Sequence, residues 1–213
     1  VPTTETLANP PVARLAVLLS GSGRTLENLL AVIARGELAA EVVAVVSSKP
    51  DVRGIAIAER AGLPVVTLQR RDFASDAAYS DAIFAWLAGF GAHLAVCAGF
   101  LRKLVVPVAW EGRILNIHPA LLPESGAGGR GYYGDRVHAA VLASGATVSG
   151  ATVHVVDNEY DHGPVVMRAE APVLPGDTVE SLGHRVFVAE QSLYPAAIRA
   201  YLAAHPALLA TTP

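Results

Sequence analysis

The chain has 213 residues, enough to bury a sizeable core in one domain or two small ones. A hydrophobic share of 52% against a charged share of 16% describes a globular protein and excludes a disordered one. The formal net charge of −3 offers no global field to nucleic acid or an anionic membrane, so an anionic partner needs a local site.

Residues 1–13 read as a flexible tail, without the basic region and apolar core of a secretion signal. The run over 14–19 fits a buried strand and breaks at Ser20-Gly21-Ser22-Gly23-Arg24-Thr25. Leu26, Leu29, Leu30 and Ile33 then recur at helical spacing until Gly36. A glycine-rich turn between a strand and a helix start presents backbone N–H groups and the positive end of the helix dipole. Gly21 and Gly23 match the first two glycines of a dinucleotide fingerprint, but Leu26 stands where the third belongs. No Gly-Lys-Ser/Thr follows either, so a P-loop is excluded. Two readings remain: a phosphate cradle to which Arg24 adds charge, or a tight turn with no ligand.

Further along, strands are expected over 41–48, 64–68 and 93–98, with helices over 54–61 and from the cap Ser75 to about residue 88. This alternation means right-handed βαβ units and a parallel sheet. The lone cysteine, Cys97, lies inside an apolar strand and reads as a small core hydrophobe rather than a nucleophile. It has no disulfide partner in the chain, which fits a cytoplasmic protein. No apolar run approaches the ~20 residues of a membrane helix.

After a short helical connection, a strand over 114–117 runs into Asn116, His118 and two stops, Pro119 and Pro123. Strand residues i and i+2 share a face, so the Asn116 amide and the His118 imidazole point the same way at a strand end. One is a fixed donor and acceptor, and the other moves a proton near neutral pH. That pair suits acyl-transfer chemistry, although polar residues at a strand end also serve simply to bond the backbone. A glycine-rich loop over 126–134, a helix over 137–143, and strands over 151–156 and 164–173 follow. The last two are joined by Asp157-Asn158-Glu159-Tyr160-Asp161-His162-Gly163. Pro164 fixes the backbone beyond Asp161, making it the acid of that loop most suited to being held rigidly. Beside His118 it would favour the imidazolium and orient the ring. The 7 histidines show no metal-ligand spacing, and His154 reads as a satisfied strand partner. A last helix starts at Asp177 or Thr178, and 204–213 reads as a loose tail. No linker or repeat divides 14–203, so a single domain is expected.

The segments Leu115-Asn116-Ile117-His118-Pro119-Ala120-Leu121-Leu122-Pro123 and Asp161-x-Gly163-Pro164, with Ser20-Gly21-Ser22-Gly23 and Ala98-Gly99-Phe100-Leu101-Arg102, resemble those of the phosphoribosylglycinamide formyltransferases. The likeness runs from about Arg14 to Tyr201. It implies a Rossmann-like α/β formyltransferase fold: a mostly parallel twisted sheet of about seven strands with helices on both faces. It also implies transfer of a formyl group from 10-formyltetrahydrofolate, as co-substrate, to the amine of 5-phosphoribosylglycinamide in purine biosynthesis, through a tetrahedral intermediate and without a metal. Asn116, His118 and Asp161 would be catalytic. Ser22, Gly23, Arg24 and Thr25 would take the ribonucleotide phosphate, with Glu190 at the glycinamide end. Leu101, Arg102, Lys103, Leu104, Asn116 and Asp157 would line the folate pocket.

The chain departs from that pattern in three places. Asp76 stands where a basic residue meets the folate's glutamate tail, so Arg70 or Arg71 would have to substitute. Phe187 stands near a common glutamine, and the loop over 124–135 resembles a Gly-x-Gly-x-Tyr-Gly subtype. Other formyltetrahydrofolate-using transferases or hydrolases share the catalytic pair. The absence of a basic C-terminal tRNA domain and the Pro119 that follows His118 argue against two of them. A Rossmann-like nucleotide-binding module without chemistry is the reading from another class. Small molecules are the expected partners of a monomer or homodimer.

Overall fold

Runs of small and branched apolar residues build the centre of the sheet in the computed structural model, which describes residues 12–123 and 125–213. The expected N-terminal tail lies, over 1–11, outside the described residues. β1 (Ala13–Leu19), β2 (Ala40–Ser47) and β4 (Leu94–Cys97) are almost wholly buried, as strands covered on both faces must be. Their period-2 alternation divides the core. Leu15, Val17 and Leu19 pack with the helices α1 (Arg24–Ala34), α4 (Asp135–Ala143) and α5 (Val179–Ala204), while Ala16 and Leu18 pack with α3 (Asp76–Leu87) and Trp110. Helix α2 (Arg53–Arg60) joins the first group through Ile57 and Ala58.

With β3 (Val65–Thr67), β5 (Ile114–His118), β6 (Val148–Val155) and β7 (Val165–Pro172), the strand order is β3-β2-β1-β4-β5-β6-β7. The first five are parallel neighbours, and β6 and β7 add antiparallel. The expected mostly parallel, helix-covered sheet is therefore the fold. From β1 the chain moves outward to β2 and β3, then returns to place β4 on the other side. That reversal opens a crevice beyond the carboxyl ends of β1 and β4, where α/β sheets bind ligands.

Helix α5 closes the crevice. Thr178 caps it through a reciprocal pair with Ser181, which settles the start left open between Asp177 and Thr178. Pro195 inside the helix removes the N–H that would bond the Gln191 carbonyl. Asn28 of α1 donates its Nδ2 to that carbonyl at 2.8 Å, so the break in the helix becomes its docking point. Tyr194 donates its hydroxyl to the carbonyls of Cys97 (3.1 Å) and Leu115 (2.9 Å), tying α5 to β4 and β5.

Most element boundaries lie within a residue or two of expectation, and two larger departures have a visible cause. β6 starts at Val148, before the apolar run, because Ser149 and Gly150 pair with Ala171 and Glu170 of β7. Residues 206–209, expected to be loose, form a 3₁₀ turn, and the Arg113 guanidinium bonds the carbonyls of Leu208 (3.2 Å) and Thr211 (3.0 Å). An arginine before β5 supplies donors that the tail's backbone completes, a pairing no local pattern announces.

Candidate active site

β5 ends where the crevice begins. Asn116 and His118 both line a cleft of about 890 Å³, so the shared face expected of them is the one that opens to ligand. The His118 ring is buried, with Nε2 2.8 Å from the Ala127 carbonyl and Nδ1 3.4 Å from Asp161 Oδ2. A carbonyl only accepts, so Nε2 carries the proton and Nδ1 turns its lone pair toward the carboxylate. Asp161 reaches this place through a left-handed backbone (φ 53°) that an aspartate tolerates. The next turn is closed by Gly163, where a Cβ would fall 1.9 Å from the Val155 carbonyl oxygen. Here lies the reason for the Asp-x-Gly-Pro spacing.

Burial pushes the Asp161 carboxyl up, but a proton on the His154 or His118 ring and the Gly129 N–H at 2.9 Å favour the carboxylate and hold it below the usual range. For His118, burial pulls the pKa below the ordinary value, and the Asp161 charge and the Ala127 carbonyl only partly offset it. The sequence favoured an imidazolium here. In the fold the ring rests neutral beside a carboxylate.

His154 is the satisfied strand partner expected, and the residue it partners is Asn116. It sits opposite Asn116 in the β5–β6 register. Its Nδ1–H donates to the Val155 carbonyl at 3.0 Å, leaving Nε2 to accept from Asn116 Nδ2 at 3.1 Å. One amide N–H is thus held, and the other is free for a ligand. Thr152, opposite His118, donates to the Ala120 carbonyl (2.7 Å) and accepts the Leu122 N–H (2.9 Å), fixing the turn after the strand. His154 and Thr152 alternate with apolar residues, and only the cross-strand register distinguishes them from core residues.

The turn over 20–25 lines the same cleft. Gly23 caps α1 with a left-handed backbone and no side-chain hydrogen bond, so the helix's first N–H groups stay open to an anion. Its Cβ would fall 2.5 Å from Gly54 Cα, so this turn and α2 approach closer than any side chain permits. Ser22, Gly23, Arg24, Thr25 and Glu190 all line the cleft. Glu190 is half-buried there, and burial raises its carboxyl to about 7 against the opposing charge of Arg24.

A smaller cavity of about 80 Å³ adjoins, lined by Arg102, Lys103, Leu104 and Asp157, and shares Phe100, Asn116, Tyr160 and Asp161 with the cleft. Leu101 lies on the larger side. Asp157 is engaged by His162 Nδ1 at 2.8 Å and by the Glu159 N–H. Cys97 sits behind this wall with its thiol pushed up to about 12 by burial, so it is inert. Arg70 does not provide a free cation in place of Asp76: it pairs with Asp76 itself and with the Phe73 carbonyl. Arg71 is exposed, 3.8 Å from Asp72.

The formyl transferase family pattern matches residues 13–198. The phosphoribosylglycinamide formyltransferase of Haemophilus influenzae is 32% identical over 87% of this chain and 85% of its own length. The trifunctional purine biosynthetic protein adenosine-3 of Gallus gallus is 40% identical over 87% of this chain, which spans 18% of that protein. Among solved structures, glycinamide ribonucleotide transformylase 1 from Symbiobacterium toebii superposes with a TM-score of 0.82 at 35% identity, covering 90% of this chain and 88% of its own.

Proposed function

The chain belongs to the formyl transferase family and, within it, to the phosphoribosylglycinamide formyltransferases; on that premise we propose that it carries a formyl group from 10-formyltetrahydrofolate to the amine of 5-phosphoribosylglycinamide in purine biosynthesis. The observation that carries this reading is a cleft and an adjoining cavity that together bring three parts side by side. An uncapped helix start lines the cleft with Asn116, His118 and Asp161, and the cavity at 102–104 and Asp157 adjoins it through Asn116 and Asp161. The helix start suits a phosphate, the cavity a flat heterocycle against backbone, and the three side chains the chemistry.

The neutral amine attacks the formyl carbon, and the formyl oxygen takes up negative charge. The free N–H of Asn116 points at that charge from a side chain already held by His154, so little reorganisation is needed as the charge develops. The His118 Nε2–H, held by Ala127 until a substrate oxygen replaces that carbonyl, is the second donor. The C–N bond to the new amine forms, the bond to N10 of the folate breaks, and a proton must pass from the amine to N10. His118 is neutral and able to take that proton, directly or through a water, onto Nδ1. There the anionic Asp161, 3.4 Å away, stabilises the imidazolium until the proton is handed on. No covalent enzyme intermediate is required, which agrees with the inert Cys97.

Tetrahydrofolate release, followed spectroscopically with each substrate alone and with both, tests this. Release that requires both substrates is expected. Release from the folate alone would identify a hydrolase, and no release under any condition would remove the enzymatic reading.

A further inference from the structure

The Arg24 guanidinium lies over the Phe187 ring, 4.0 Å from its centroid, on the cleft wall where α1 begins. Among the described residues no carboxylate or carbonyl hydrogen-bonds to it, whereas the nearby Arg53 is engaged by Glu27 at 2.7 Å and by the Ser22 carbonyl at 3.2 Å. Arg24 is therefore the cation of the cradle left to a ligand. The way it is held bears on its use. A guanidinium resting on an aromatic face spends its π surface there and keeps its N–H donors, which lie in the plane, for a bidentate anion. A long, flexible side chain also loses rotamer freedom when it grips a phosphate. A ring that holds it beforehand removes much of that cost.

The ring's placement follows from the backbone. Phe187, Glu190 and Tyr194 lie along one stripe of α5. That helix is set against α1 by the Asn28 bond to Gln191 and against the sheet by the Tyr194 hydroxyl. The stripe presents Phe187 to Arg24 and, one turn further, Glu190 to the same cleft.

We propose that Phe187 is a positioning residue for the ribonucleotide's phosphate, its ring face pre-setting the Arg24 guanidinium over the uncapped start of α1. Phe187 itself need not touch substrate; it acts through Arg24. The inference rests on the reading of this cleft as the phosphoribosylglycinamide site.

The test uses Phe187→Leu, Phe187→Trp, Arg24→Ala and the Arg24→Ala/Phe187→Leu double variant of the full chain. Steady-state kinetics is combined with calorimetric titration of inorganic phosphate. Phe187→Leu is expected to raise the KM for the ribonucleotide and the Kd for phosphate about fivefold, which is about 1 kcal/mol at ~1.4 kcal/mol per tenfold. Its kcat should stay within about twofold and its folate KM should not move. Phe187→Trp, which keeps an aromatic face, should remain near wild type. In the Arg24→Ala background, Phe187→Leu should add nothing. Any one of three results overturns the proposal: an unchanged KM in Phe187→Leu, a Phe187→Trp as impaired as Phe187→Leu, or a Phe187→Leu effect that persists without Arg24. The phosphate titrations do not depend on formyl transfer. A wild-type protein that binds phosphate in this way but transfers no formyl group would sink the functional reading and leave the Arg24–Phe187 pairing standing.

Discussion

At the scale of single residues, the centre works through two groups that burial and charge move in useful directions. His118 is kept neutral because burial outweighs the carboxylate beside it, and Asp161 is held below the usual carboxyl range by the Gly129 N–H and by any proton that reaches the rings of His154 and His118. The acid limb of kcat against pH should then lie below the ordinary histidine value of ~6.5, since protonation of His118 removes the proton acceptor. A limb above that value would contradict the assignment. His154 holds the Asn116 amide, so His154→Leu should lower kcat about 100-fold by loosening it, with both KM values little changed. Steady-state kinetics checks this, and an unaltered kcat would remove His154 from the site. Glu190 carries the opposite lesson. Its carboxyl is raised to about 7, so the unfolded chain binds fewer protons than the folded one between the ordinary carboxylate range and pH 7. Stability is therefore lost as pH rises through that window, and the cost of a buried charge is fully present above it. Glu190→Gln should raise the Tm of the ligand-free protein at pH 8, have little effect at pH 4, and weaken ribonucleotide binding. A lowered Tm at pH 8 would show that the charge is not strained.

At the scale of elements, two close approaches hold the crevice open in the right place. Gly23 meets Gly54 where a Cβ would lie 2.5 Å from backbone, and its φ of 71° strains any other residue. Gly23→Ala should mainly raise the KM for the ribonucleotide; a change confined to the folate KM would contradict the placement. Asn28→Ala should hand the exposed Gln191 carbonyl opposite Pro195 to water and cost about 0.5–1.5 kcal/mol, read as a lower denaturation midpoint at constant slope. The βαβ half was legible because buried parallel strands are continuous apolar runs and because Ser75 caps α3 as its sequence suggests, accepting the Ala78 N–H at 3.1 Å. Asn116, His118 and Asp161 were legible as residue types at a strand end and a rigid loop. What sequence could not supply was register and distance. Nothing local says that His154 faces Asn116, that Arg113 ties down the C-terminal turn, or that Asp76 occupies Arg70. Burial of His118 likewise reversed the charge state that residue types alone favoured.

At the scale of the molecule, the site is made from segments far apart in the chain that the strand order brings together beyond the carboxyl ends of the central strands. The turn after β1, the turns after β4 and β5, the loop carrying Ala127 and Gly129, the connection before β7 and the stripe on α5 all meet there. The strand reversal creates the crevice, and α5, pinned at Gln191, makes it a cleft lined by the anion-attracting start of α1 and adjoined by a smaller cavity. A net charge of −3 gives the molecule no overall attraction for a phosphorylated substrate, so the local field at Gly23 and Arg24 has to supply it. The central claim is that a proton passes through His118 under the control of Asp161. The kcat of Asp161→Asn tests it most directly, because asparagine keeps the left-handed backbone and the shape while removing the charge. The account predicts a fall of at least about 100-fold in a protein whose Tm and circular dichroism show it folded. Turnover within a few-fold of wild type would contradict it.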